Sequence, residues 1–177
     1  MRTLQLSWTP GRGGLVAELP PGLVPTVMAE GLGAGARVVQ PLHVTLLRTA
    51  SMAPLVPVLG PAWPELRGAL PAFPAPHLLS QLHRAERPPH PEKDPPGATA
   101  PRTTWFLVPA DPAPLRAALA DIVAALDAAS RARGGPTFPH PEPERFFHVS
   151  LFNDRGGDAR RSIGDIGPGD VRGPGVG

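Results

Sequence analysis

Cysteine is absent from this 177-residue chain, which rules out a disulfide framework and a thiolate-bound metal alike. A zinc ion would need histidine and carboxylate ligands only. Lysine is close to absent as well: Lys93 is the single lysine among 17 basic residues, and arginine makes up the rest. Arginine grips phosphate with a planar, bidentate fork, which would suit a nucleotide or an RNA end. In a chain this rich in Ala, Pro and Gly, however, arginine replaces lysine generally, so the bias reads first as composition. The formal net charge is only +2, and no run of basic residues marks a face for extended duplex binding. No apolar stretch approaches membrane-spanning length. The N-terminus enters the strand-like Leu4-Gln5-Leu6 without the basic and apolar regions of a secretion signal. The expectation is a soluble, cytoplasmic monomer with no membrane partner.

What the chain does contain is one tetrapeptide written twice, His43-Val44-Thr45-Leu46 and His148-Val149-Ser150-Leu151. The order His, apolar, hydroxyl, apolar has a period of two, so on a strand the imidazole and hydroxyl share one face and the apolar pair takes the other. A single motif of this kind reads as a structural histidine. Two copies shift the balance toward chemistry, because two imidazoles around one centre can divide the work of phosphodiester cleavage. A neutral His accepts the proton of the attacking oxygen while an imidazolium protonates the leaving oxygen, and the ordinary histidine pKa suits both tasks near neutrality. The hydroxyls would bind the non-bridging oxygens, where charge grows in the transition state.

With these motifs the chain resembles the 2H phosphoesterases, a family named for two HxTx or HxSx motifs and including the 2',3'-cyclic phosphodiesterases also called 2'-5' RNA ligases. The resemblance extends over residues 2–153: Gly14 to Pro20, then Pro21, Gly22 and Leu23, then Val38-Val39-Gln40-Pro41-Leu42 running into the first motif, are similar to the family's strand, helix and second strand. It implies an α+β fold of two pseudo-symmetric lobes, with antiparallel sheets lining a central cleft and helices packed outside. It also implies catalytic roles for His43 and His148, phosphate contacts for Thr45 and Ser150, and no metal or other cofactor. The substrate it suggests is a 2',3'-cyclic phosphate on an RNA 3' end or small nucleotide. Departure of the 3' oxygen would leave a 2'-phosphate, with His43 as acid and His148 as base. A chain of this length suits one domain with an internal duplication. We therefore expect a single bilobal domain over 1–156 and a flexible tail over 157–177.

Local patterns fill in the rest. Arg2 to Trp8 and Gly14 to Leu19 predict a hairpin around Pro10, Gly11, Gly13 and Gly14. Residues 23–36 predict a short helix weakened by Gly31, Gly33 and Gly35. Ser51 is a candidate cap for a helix that Pro54, Pro57, Pro61 and Pro64 interrupt, leaving one or two short pieces ending near Leu70. A strand is expected over 77–85, then a mobile Pro-rich loop over 86–102 that departs from the family pattern. A further strand is expected over Thr103 to Val108. The clearest helix has Asp111 as N-cap, Pro112 at its first position, Leu115, Leu119, Ile122 and Leu126 along one face, and Arg131, Arg133 and Gly134 at its end. It is expected to cover the sheet of the second lobe.

Other residues carry less. Trp105, Phe147 and Phe152 offer stacking faces for a base, with core packing the expected role for at least two of them. Arg48 is expected on the face opposite Thr45. Arg155, Arg160 and Arg161 could turn toward a phosphate but read first as solvated. His77, His83, His90 and His140 lack the motif context and stay unassigned. The alternatives within enzymes are RNA 3'-end trimming and hydrolysis of a cyclic dinucleotide or an ADP-ribose cyclic phosphate. A nucleotide-binding module without turnover is the alternative outside them. Metal binding by the paired histidines is disfavoured, because neither motif carries a carboxylate on its histidine's face.

Overall fold

A computed structural model describes residues 2–27, 32, 35–138 and 145–171. The fold is α+β, with two four-stranded antiparallel sheets and few helices. No described helix is long and apolar enough to cross a membrane. The chain divides into two compact units, the first comprising Met1–Leu19, His43–His77 and Ala110–Phe147, and the second Pro20–Leu42, Leu78–Pro109 and His148–Gly177.

In the first unit, β1 (Thr3–Ser7), β2 (Leu15–Glu18), β4 (His43–Leu47) and β5 (Phe73–Pro74) form a sheet in the order β4-β2-β1-β5. The β1–β2 hairpin is as the sequence predicts. Alternation sets its faces, since Leu4, Leu6, Leu15, Ala17, Val44 and Leu46 are buried while Thr3 and Gln5 are exposed. After β4 the prolines divide the helical stretch into three pieces rather than one or two, α1 (Thr49–Met52), α2 (Val56–Leu59) and α3 (Trp63–Ala69). Ser51 is not the cap: the first piece begins two residues earlier, with Arg48 in the cap position. Trp8 and Trp63 meet edge to face, with ring centroids 5.4 Å apart.

The long helix α4 spans Ala113–Arg131. Asp111 works from one residue further out than expected, its Oδ1 accepting the Ala113 N–H at 2.9 Å with Pro112 in the cap position. Gly134 ends the helix with φ +70°, a conformation favouring glycine. The helix does not belong with the second sheet. It lies in the first unit, against β5 and α2, and buries Leu115, Ile122 and Leu126. An apolar stripe states that a helix must cover a sheet without stating which one.

In the second unit, β3 (Arg37–Val38), β6 (His83–Arg87), β7 (Arg102–Leu107) and β8 (Val149–Asn153) form a sheet in the order β3-β8-β7-β6. Central β7 is buried along its whole length. The helix expected over 23–36 is only a 3-10 turn at Pro21–Leu23 among the described residues. The strand expected over 77–85 begins later and runs to Arg87, which shortens the following loop.

That loop and the tail differ most from expectation. Within 88–101, Asp94 accepts the His90 N–H at 2.6 Å and the Arg155 Nε at 2.7 Å, while Arg102 lies 3.5 Å away. The His90 N–H, followed by the Arg155 and Arg102 charges, holds the Asp94 carboxyl below its ordinary range. The loop is therefore pinned to the β7 and β8 ends. The described part of the tail is likewise folded. Ile163 and Ile166 are buried, 3-10 turns form at Ala159–Arg161 and Pro168–Asp170, and the Ile163 N–H donates to Thr104 Oγ1 at 3.0 Å. Asn153 starts this return: its side chain donates to Asp158 O and Ser162 Oγ, and accepts the Gly157 N–H. Gly157 has φ +78°, and a Cβ there would lie 2.3 Å from the Val38 carbonyl. Glycine-rich composition concealed two buried isoleucines and a buried asparagine that supply the docking energy.

Candidate active site

One motif falls in each unit. In the first, β4 carries His43 and Thr45 half-buried on one face, with Val44 and Leu46 fully buried on the other. The sheet register opposes Glu18 of β2 to His43, and Gln5 of β1 to Glu18, so Gln5, Glu18 and His43 form one row. Ser7, Val16 and Thr45 form the next. Directly opposed residues of antiparallel strands share a face, which gives His43 a carboxylate neighbour that its own motif lacks. Nothing in the sequence marks Glu18, since only strand register brings it opposite His43. Strand β4 is an edge of its sheet, and buried Arg145 donates from Nε to the Thr45 carbonyl at 3.0 Å. A guanidinium thus braces the backbone at the carbonyl of the hydroxyl-bearing residue. Sequence pattern offered no signal for it, because Arg145 lies 100 residues away in a Pro-rich lead-in.

In the second unit, His148 directly precedes β8, where Val149 and Leu151 are buried and Ser150 is half-buried like the histidine. Phe106 of β7 pairs in register with Ser150 and meets the His148 ring edge-on, with centroids 5.7 Å apart. The other neighbour of Phe106 is His83 of β6, whose ring lies tilted at 5.5 Å. His83 is 3% exposed, and its Nδ1 meets no hydrogen-bond partner among the described residues. Burial pushes its pKa below the ordinary value.

Arg87 lies on the same face of β6 as His83, two alternations along the strand. Its guanidinium donates from Nη1 and Nη2 to the two oxygens of Asp170, at 2.9 and 2.8 Å, and from Nε to Asp165 at 3.2 Å. The Arg87 hydrogen bonds hold the Asp170 carboxyl below its usual range, the Gly167 N–H adds to this, and a smaller contribution comes from the charge of His148. Arg87, Asp170 and His148 therefore share one electrostatic neighbourhood.

The remaining sequence candidates separate cleanly. Trp105 and Phe147 are buried in the core, Phe147 against Phe73, whereas Phe152 stays half-buried. Arg48 lies past the end of β4 and is exposed. Arg155 is held by Asp94 and by the Ala100 carbonyl, and Arg160 by Asp158, so both serve local structure. His90 accepts the Glu92 N–H, His77 is exposed, and His140 lies outside the described residues. A depression of about 600 Å³ lined by Val38, Gln40, Pro41 and Arg160 contains neither motif. Among the described residues, no group of three or more histidine and carboxylate side chains is arranged to hold a metal. Comparison with protein families, with curated proteins and with solved structures finds no match to this chain.

Proposed function

We propose that this protein is a phosphodiesterase of the 2H type, opening 2',3'-cyclic phosphates on RNA 3' ends or nucleotides to a 2'-phosphate without a metal ion. The carrying observation is the matched burial of the two motifs: in each, histidine and hydroxyl are half-buried while the intervening valine and leucine are buried. Each motif thus carries an imidazole and a hydroxyl together on its half-buried face, the two kinds of group that this chemistry uses. The reading requires the two units to act as pseudo-symmetric lobes around a common cleft.

In this mechanism His148 takes a proton from water as its oxygen bonds to phosphorus, and His43 gives a proton to the 3' oxygen as the P–O3' bond breaks. Thr45 and Ser150 donate hydrogen bonds to the non-bridging oxygens. General acid and general base catalysis each contribute about 10²–10⁴-fold, and each hydroxyl adds stabilisation aimed at the developing charge. The Arg145 bond to the Thr45 carbonyl supports this by fixing the strand that carries both groups.

The test is an assay with chelator on a short RNA ending in a 2',3'-cyclic phosphate, resolving 2'- from 3'-phosphate products. Turnover by wild type, collapsing in His43→Ala and in His148→Ala, is the expected result. A 3'-phosphate product would reverse the two histidine roles, and folded wild type without turnover would overturn the reading.

A further inference from the structure

The grip on Arg87 is what a phosphate would make. Its fork faces two carboxylates, both supplied by the chain's own C-terminal segment, and Asp170 takes the bidentate position that a phosphate's oxygens occupy equally well. Asp165 is 66% exposed at its side chain, and so is held loosely. Nothing in β6 requires an arginine at this position for packing, since its neighbours Glu86 and Arg84 are exposed and the apolar support comes from Ala85. The fork also stands on the sheet face that carries Phe106 and His148, four residues along β6 from the His83–Phe106 pair.

We propose that Arg87 is a second phosphate-binding residue, on the sheet face that carries His148, which takes the phosphate one nucleotide away from the reacting one, and that Asp170 and Asp165 occupy it until substrate arrives. This rests on the two-histidine reading and narrows its substrate class. A cyclic phosphate carrying a 5'-phosphate, as every RNA 3' end does, gains a contact that a nucleoside 2',3'-cyclic monophosphate lacks. The C-terminal segment then competes with substrate for one guanidinium, with a carboxylate as stand-in for phosphate.

Calorimetric binding of adenosine 2',5'-bisphosphate and adenosine 2'-monophosphate to the full chain tests this. The monophosphate probes the motif site alone, and the bisphosphate probes the motif site with Arg87. Removing the competing charge in Asp170→Asn is expected to tighten the bisphosphate about tenfold more than the monophosphate. Because Asp170 also fastens the last 3-10 turn, Asp165→Asn serves as a second variant that spares that turn, with an expected gain of about threefold. Arg87→Gln should bring the two ligands to equal affinity. Failure of wild type to bind the bisphosphate, an unchanged affinity ratio in both aspartate variants, or an unchanged ratio in Arg87→Gln would each overturn the proposal. Turnover of adenosine 2',3'-cyclic monophosphate by wild type is measured separately. It reports on the histidines alone, so the two readings can fail independently.

Discussion

His43 and Leu46 are three residues apart on one strand, yet substitutions at the two should act on different quantities. Leu46 is fully buried, and its truncation to alanine removes packing atoms and leaves a cavity, at a cost of about 2–5 kcal/mol. His43→Ala removes a half-buried ring from the face opposite the core, so urea unfolding should change by less than about 1 kcal/mol. Its kcat on a cyclic phosphate should fall about 10²–10⁴-fold. Thr45→Val keeps the side-chain shape and deletes the hydroxyl, with an expected loss of about 10²-fold in kcat. Glu18, opposite His43, adds a third readout. If it orients the imidazole, Glu18→Gln should shift the pH–rate profile as well as lower kcat, whereas a half-buried strand residue without that role would shift neither.

At the scale of elements, α4 is the part most open to reading from sequence, because its start and stop are chemical. Asp111 offers an oxygen to an unpaired N–H, and Gly134 accepts a backbone conformation unfavourable to other residues. Asp111→Ala should cost about 0.5–2 kcal/mol by urea unfolding, and Ile122→Ala, at the centre of the buried stripe, about 2–5 kcal/mol. The two motifs were equally legible, since alternation of two writes the faces of β4 and β8 directly into the sequence. What stayed hidden depends on partners. Strands β3 and β5 are two residues each, too short for any period to register. The sheet that α4 covers, the row joining His43 to Glu18, and the Arg145 brace on Thr45 are all set by contacts between distant segments. Asp94 and Arg155 are 61 residues apart, and their pairing turns a Pro-rich loop into a fixed one. Composition describes what a segment could do alone, and so it misses the few buried groups that hold the loop and the described part of the tail.

At the scale of the whole molecule, those buried groups make stability depend on pH in two separate windows. His83 is buried with its pKa lowered, so at mildly acidic pH the unfolded chain takes up a proton that the folded chain refuses. Its contribution is complete above the unfolded imidazole pKa of about 6.5 and is lost as pH falls below it. Asp170 and Asp94 have lowered carboxyl pKa values, chiefly through the Arg87 and His90 hydrogen bonds respectively. Their contributions are complete above the unfolded carboxyl value of about 3.9 and are lost as pH falls through the lower folded values. Urea unfolding between pH 8 and pH 3 should therefore show a first decline below about pH 6.5, no steeper than about 1.4 kcal/mol per pH unit for one proton, and a second below about pH 4. His83→Leu replaces the ring by an apolar side chain and removes the Nδ1 that lacks a partner among the described residues, so the first decline should vanish while the second remains. Asp170→Asn should weaken only the second. A first decline of full size in His83→Leu would assign that proton to another histidine, and the buried His83 would then be a packing residue without a role in the acid response.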